Sequence, residues 1–160
     1  MKFNKLGNSE LQVSSYCLGS MTWGEATSEN DGHWQLDFSL DNGINFVDTA
    51  EMYPTNPLRI ETAGDTEKII GNWLRKRKKR DDIIIATKVV GIGNKTVREG
   101  KPINEHTIEE ALTKSLKRLN TDYIDLYQLH WPNRGSYHFR QNWAYNPSNQ
   151  NTKKIKQDIF

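Results

Sequence analysis

The chain is predicted to be an α/β protein built on a parallel sheet, and three observations predict it. Short apolar runs, each of strand length, alternate with stretches whose apolar residues recur at helical spacing. Residues suited to turns and helix ends stand at the joints between them. Each of three successive strand candidates finishes on a polar, ionisable residue. Ile44-Asn45-Phe46-Val47 runs into Asp48, Ile83-Ile84-Ile85-Ala86-Thr87 into Lys88, and Tyr123-Ile124-Asp125-Leu126-Tyr127-Gln128-Leu129 into His130. Strict alternation of strand and helix gives a parallel sheet with helices outside it.

The elements follow in order. Phe3 to Leu6 and Leu11 to Ser14 flank Gly7-Asn8-Ser9-Glu10, the pattern of a short hairpin. A brief strand is expected around Tyr16 to Ser20. Ser28 is placed to cap a helix reaching Asn42, with Gly43 as its stop. Trp34, Leu36, Phe38 and Leu40 alternate there with strand period, but the acidic first turn and terminal glycine favour helix. In the second helix, Asp65 or Thr66 is the expected cap, and Ile69, Ile70, Trp73 and Leu74 share a face. In the third, Ile108, Ala111, Leu112, Ser115, Leu116 and Leu119 keep helical spacing. Thr107 and Glu110 suit a capping box, and Asn120 suits the left-handed position after the helix.

Length and composition narrow the class. The 160 residues suggest one domain, read as a β/α core over 1–130 followed by a long loop and the start of a helix over 131–160. Hydrophobic content of 35% is low, and the shortfall is local: from Asn133 to Lys154 the one aliphatic residue is Ala144. A net charge of +2 is too small to imply nucleic acid or an acidic membrane as partner. Cys17 is the sole cysteine, which excludes an intrachain disulfide and permits a reducing compartment. The first residues carry no signal-peptide run, and no stretch reaches the roughly 20 apolar residues of a membrane span. A cytoplasmic location is expected.

An acid, a phenol, an ammonium and an imidazole thus gather where successive strands finish, since Tyr53 follows Asp48 by five residues. That edge of a parallel sheet holds the chemistry because strand ends are rigid and the loops beyond can close over a ligand. Singly, each residue has a plainer reading: Asp48 as a turn or helix cap, Lys88 as a solvated cation, Tyr53 as packing, His130 as a core histidine. Together they form an apparatus. A phenol, ordinarily titrating near 10, donates a proton well and is helped to release it by a neighbouring ammonium. A carboxylate such as Asp48 keeps that ammonium charged in a partly dry cleft. A histidine can orient a substrate oxygen. This set protonates a carbonyl oxygen while a hydride reaches its carbon, and the hydride has to come from a redox cofactor.

At these residues the sequence resembles the aldo-keto reductase family, through Asn42 to Tyr53 (NGINFVDTAEMY), Ile85 to Val89 (IATKV) and Ser115 to His130 (SLKRLNTDYIDLYQLH). It is most similar to the Tas-like branch, whose loop after the fourth barrel strand is long; residues 64–74 and 131–145 also read like that branch. The resemblance implies a (β/α)8 TIM barrel that reduces small aldehydes or ketones with NADPH. It implies Tyr53 as general acid, Lys88 as its tuning cation, Asp48 as the anchor of Lys88, and His130 as the group that positions the carbonyl. It aligns Ser20 and Met21, with Asp48, near the nicotinamide, and Trp23 and Trp131 with the substrate pocket. Pro54 stands where many relatives have glycine.

The larger departure is length. A whole barrel takes roughly 250 residues, so the chain reads as the N-terminal half, with four of eight strands. The family's amide clamp, its aromatic platform and its phosphate-binding loop fall beyond residue 160. An N-terminal fragment inactive alone is therefore expected, with self-association through open sheet edges. The rival readings are a non-catalytic NADP(H)-binding module like channel-associated relatives, and an inert truncated gene product.

Other features take plainer readings. The run Arg75 to Arg80 is read as a solvated helix end suited to the helix dipole. His33, His106 and His138 have no metal-ligand spacing. Tyr137, Phe139, Trp143 and Tyr145 read as a pocket-lining loop, and Cys17 as a small buried residue.

Overall fold

The computed structural model describes residues 1–133. A hairpin of β1 (Phe3–Lys5) and β2 (Gln12–Ser14) precedes a four-stranded sheet. The sheet runs in chain order β3 (Leu18–Gly19), β4 (Phe46–Asp48), β5 (Ile84–Val89), β6 (Leu126–Leu129), every neighbouring pair parallel. Between them stand α1 (Glu29–Asp41), α2 (Asp65–Arg77) and α3 (Glu105–Leu119). The expected order of elements is thus the observed one.

Alternation along the strands divides the sheet into two faces. Val47 and Ile85 are paired in register and turn outward into the main core, where Trp23, Leu36, Ile70, Trp73 and Leu119 pack beneath the helices. Their neighbours Asp48 and Ala86 are paired on the opposite face, as are Lys88 and Gln128. At about 25 cal/mol per Å² of apolar area, burial of these indole and aliphatic groups dominates the fold's stability. Helices α2 and α3 approach closely at Gly71, where a Cβ would lie 2.1 Å from the carbonyl oxygen of Arg118.

The helix ends show where local reading stops short. Helix α1 behaves as expected: Ser28 accepts from Asp31 N at 3.2 Å, and Gly43 takes φ +78. Helix α2 is not capped by Asp65 or Thr66. Its N-cap is Gly64 at φ +89, pressed against the Arg118 side chain, while the Thr66 hydroxyl donates instead to the Trp23 carbonyl at 2.7 Å. The capping box of α3 is Asn104 with Thr107, because the helix starts at Glu105 and Thr107 is already its third residue; Glu110 pairs with Lys114 one turn on. Asn120 does occupy the left-handed C-cap at φ 52.

Three strands of the four-stranded sheet are shorter than expected. Strand β3 keeps only Leu18–Gly19, and Cys17 is exposed rather than buried, since it precedes an edge strand. Strand β4 starts at Phe46 because the Asn45 side chain is spent on the hairpin, accepting from Ser14 N at 2.8 Å and donating to Gln12 O at 3.0 Å. Strand β6 starts at Leu126 because Asp125 turns its carboxylate to Ile85 N, 2.8 Å away, and to the Arg80 guanidinium. Arg80 also covers the Tyr123 ring, and Arg77 covers Trp73 and pairs with Asp82. The basic run is thus exposed at Arg75, Lys76, Lys78 and Lys79 but structurally engaged at Arg77 and Arg80. The aromatic tail residues Tyr137, Phe139, Trp143 and Tyr145 lie outside the described residues. No described helix is long and apolar enough to cross a membrane.

Candidate active site

Lys88 enters from the end of strand β5, on the inner face, with its side chain mostly covered. Its ammonium donates to Asp48 Oδ2 at 2.6 Å, to the Thr49 carbonyl at 2.7 Å and to the Tyr53 hydroxyl at 3.3 Å. Three acceptors match the three donors of an ammonium. The cation also lies 4.8 Å from the Tyr53 ring centroid. Asp48 sits at the end of β4, and its other oxygen accepts from Gln128 Nε2 at 3.4 Å. His130, directly after β6, meets Tyr53 edge-on at 5.8 Å between ring centroids, and its backbone N–H donates to Val89 O at 2.8 Å. All four side chains expected at the rim converge.

The backbone makes that geometry rigid. The Tyr53 carbonyl accepts from Gly64 N at 2.9 Å and from Thr66 N at 3.4 Å, so the phenol's main chain is tied to the start of α2. Ser20, 1% exposed, gives its hydroxyl to the Asp48 carbonyl at 2.7 Å. Ser20 thus braces the acid, while Met21 beside it is exposed. Trp131 is buried with Ala50, Met52, Tyr53 and Val90 and donates to Ile92 O at 3.2 Å. Gly91 makes room for it, since a Cβ there would lie 2.5 Å from the indole. Trp23, 1% exposed, packs in the core beneath α1 and α2, with its indole N–H on Gln35.

Two buried ion pairs flank the rim, and sequence reasoning missed both. Glu51 and Arg98 each expose 3% of their side chains. Glu51 Oε1 accepts from Val90 N at 2.7 Å, and Arg98 Nη2 donates to Val90 O at 2.9 Å. The pair therefore clamps the residue two beyond Lys88 to the segment that carries Tyr53. Behind the sheet, fully buried Glu67 accepts from the Thr87 hydroxyl at 2.6 Å and from Arg118 Nε at 2.7 Å. Glu51 stands between Asp48 and Tyr53, which was a usable signal. Arg98 and Arg118 gave none, because an arginine's burial depends on a partner distant in sequence.

Chemically, the arrangement presents a phenol oxygen with a fixed cation behind it and an imidazole beside it. Such a set donates a proton to, and orients, a polar oxygen brought to the strand ends.

Comparison with known proteins accords with this. The model of the aldo/keto reductase family matches residues 16–148. The protein Tas of Escherichia coli (strain K12) is 50% identical over 137 residues, which are 84% of this chain and 39% of that one. The uncharacterized oxidoreductase YrpG of Bacillus subtilis (strain 168) is 39% identical over 81% of this chain and 40% of its own length. The crystal structure of a thermostable aldo-keto reductase with the inhibitor epalrestat superposes with a TM-score of 0.66 at 25% identity, covering 99% of this chain and 52% of that one. The chain spans about two fifths of the length of these curated relatives.

Proposed function

The chain belongs to the aldo/keto reductase family, and we propose that it carries the proton-donating machinery of an NADPH-dependent reduction of a small aldehyde or ketone. One observation carries the reading: a single ammonium, Lys88 Nζ, bridges the Asp48 carboxylate at 2.6 Å and the Tyr53 hydroxyl at 3.3 Å. Members of the family are oxidoreductases that use nicotinamide cofactors.

The rim suits such a cofactor, because exposed, apolar Met21 adjoins Ser20, whose hydroxyl fixes the Asp48 main chain. Met21 and Asp48 would hold the nicotinamide end, with Ser20 bracing Asp48 from behind. When bound, the reduced nicotinamide supplies the hydride that no side chain provides. The protein's own part is the proton. The Tyr53 hydroxyl donates to the carbonyl oxygen as negative charge develops there. Charge left on the phenol oxygen is stabilised by Lys88, which Asp48 and the Thr49 carbonyl hold in place. The His130 imidazole, beside Tyr53, donates to the same oxygen and sets its approach. Trp131 and Val90 pack against Tyr53 and limit water at its ring.

By itself the 160-residue chain is expected to bind NADPH weakly or not at all and to self-associate, because β3 and β6 stand at the two edges of the sheet among the described residues. The catalytic reading is tested by joining residues 1–133 to the remainder of the Tas relative and following carbonyl-dependent NADPH oxidation. Tyr53→Phe should lower turnover by at least about a hundredfold while NADPH binding, read by nicotinamide fluorescence, persists. Near-parental turnover would remove Tyr53 from the acid role.

A further inference from the structure

Helix α1 carries apolar residues on both of its faces, and one face is uncovered among the described residues. Gly32, His33, Leu36 and Ser39 turn inward and are buried. Trp34 and Phe38, one turn apart on the opposite side, are 63% and 54% exposed, and their rings stack at 5.2 Å. Trp34 lies two positions from Leu36, about 200° around the helix at 3.6 residues per turn. It therefore points away from the sheet, not toward a neighbouring helix of a β/α layer. Around the aromatic pair the exposed positions are Asn30, Asp31, Asp37 and Asp41. No cation stands in the last turn, where the helix dipole would favour one and where Asp41 stands instead.

Next to this acidic, aromatic stripe lies its complement. Lys76 reaches the Glu29 carboxylate at 3.7 Å, and the Asp37 charge acts on Arg77, so the basic run borders α1. Arg75, Lys76, Lys78 and Lys79 of that run are exposed. An acidic aromatic stripe bordered by a basic one is self-complementary across a two-fold axis. We propose that this surface is a homodimer interface, in which Trp34, Phe38 and Asp41 of one chain receive the Arg75–Lys79 cations of a second copy, and reciprocally. Tryptophan and arginine are the residues best suited to anchor such a contact, by stacking the cation on the indole face. The interface lies on the helix side of the sheet, so it is separate from association through the strand edges.

Sedimentation velocity of the 160-residue chain tests this. The parent should form a dimer that weakens with added salt. Trp34→Ala/Phe38→Ala should weaken it by more than about tenfold. Asn30→Lys/Asp41→Lys makes the stripe basic, and Arg75→Glu/Lys79→Glu makes the run acidic. All four positions are exposed, and circular dichroism checks that each variant keeps the parental helix content. Each charge-swapped variant alone should lose the salt-sensitive dimer, leaving only the salt-insensitive association through strand edges, and an equimolar mixture should regain it, because both contacts are then complementary again. A monomeric parent, or association unchanged by Trp34→Ala/Phe38→Ala, would overturn the proposal. Charge-swapped variants that fail to pair when mixed would overturn it as well.

Discussion

Thr87 and Lys88 are consecutive residues of β5, and each meets a carboxylate on a different side of the sheet. On the helix side, Glu67 is wholly enclosed, with one oxygen on the Thr87 hydroxyl and the other on Arg118. On the inner side, Asp48 retains 32% side-chain exposure, holds Lys88 with one oxygen and only loosely contacts Gln128 with the other. The sealed pair has spent both carboxylate oxygens on its partners, so its energy goes into holding α2, α3 and the sheet in register. The open pair keeps a third donor of Lys88 aimed at a phenol. A charge that serves architecture is enclosed and saturated, whereas a charge that serves chemistry keeps one bond for a reacting group.

That contrast can be broken by removing one member at a time. The largest effect on stability is expected for Glu67→Gln, which leaves Arg118 and Thr87 without their anionic partner. About 3 kcal/mol should be lost, read as a lower urea midpoint. Lys88→Met should cost no more than about 1 kcal/mol, because the Asp48 it abandons is partly solvated. A comparable loss from both would mean that the rim pair is structural too.

A smaller, pH-dependent effect belongs to Asp82. The Arg77 guanidinium hydrogen-bonded to it lowers its carboxyl from 3.8 to about 2. A carboxyl lowered by folding stabilises the native state above its unfolded value, and that contribution disappears as pH falls from 3.8 to about 2. With 30% of the side chain exposed, solvent screening reduces the worth of the pair to about 1 kcal/mol. Asp82→Asn should therefore cost about that much at neutral pH and close to nothing near pH 2, in unfolding curves measured across that range. Smallest of all, Gln128→Ala should change stability by less than about 0.5 kcal/mol, since the 3.4 Å contact to Asp48 is long.

The rim was legible because strand ends and apolar runs are local features. Asp48, Lys88 and His130 each close a run of apolar residues, and parallel pairing brings such ends together. Ser28, Gly43 and Asn120 were legible for the same reason, since a cap is decided within a few residues. Asn104 displaced Thr107 from the N-cap because the helix starts three residues earlier, which moves Thr107 to the third helical position, a choice between two spaced candidates that motif spacing does not rank. Arg98 and Arg118 carry no local sign of their enclosed partners, Glu51, 47 residues away, and Glu67, 51 residues away. Cys17 in an apolar run read as buried, but an edge strand leaves it uncovered. The alternation of Trp34, Leu36, Phe38 and Leu40 was a real signal: it marks a helix that is apolar on two sides.

The most direct test compares Lys88→Met with Glu67→Gln in residues 1–133 joined to the remainder of the Tas relative, measuring carbonyl-dependent NADPH oxidation per folded molecule. Lys88→Met should lose about a hundredfold in turnover, about 2.7 kcal/mol of transition-state stabilisation, with its unfolding midpoint nearly unchanged. Glu67→Gln should do the reverse, unfolding earlier while each folded molecule turns over within about twofold of the parent. Parental turnover by Lys88→Met, or a loss by Glu67→Gln equal to that of Lys88→Met, would contradict the division of labour between the two sides of β5.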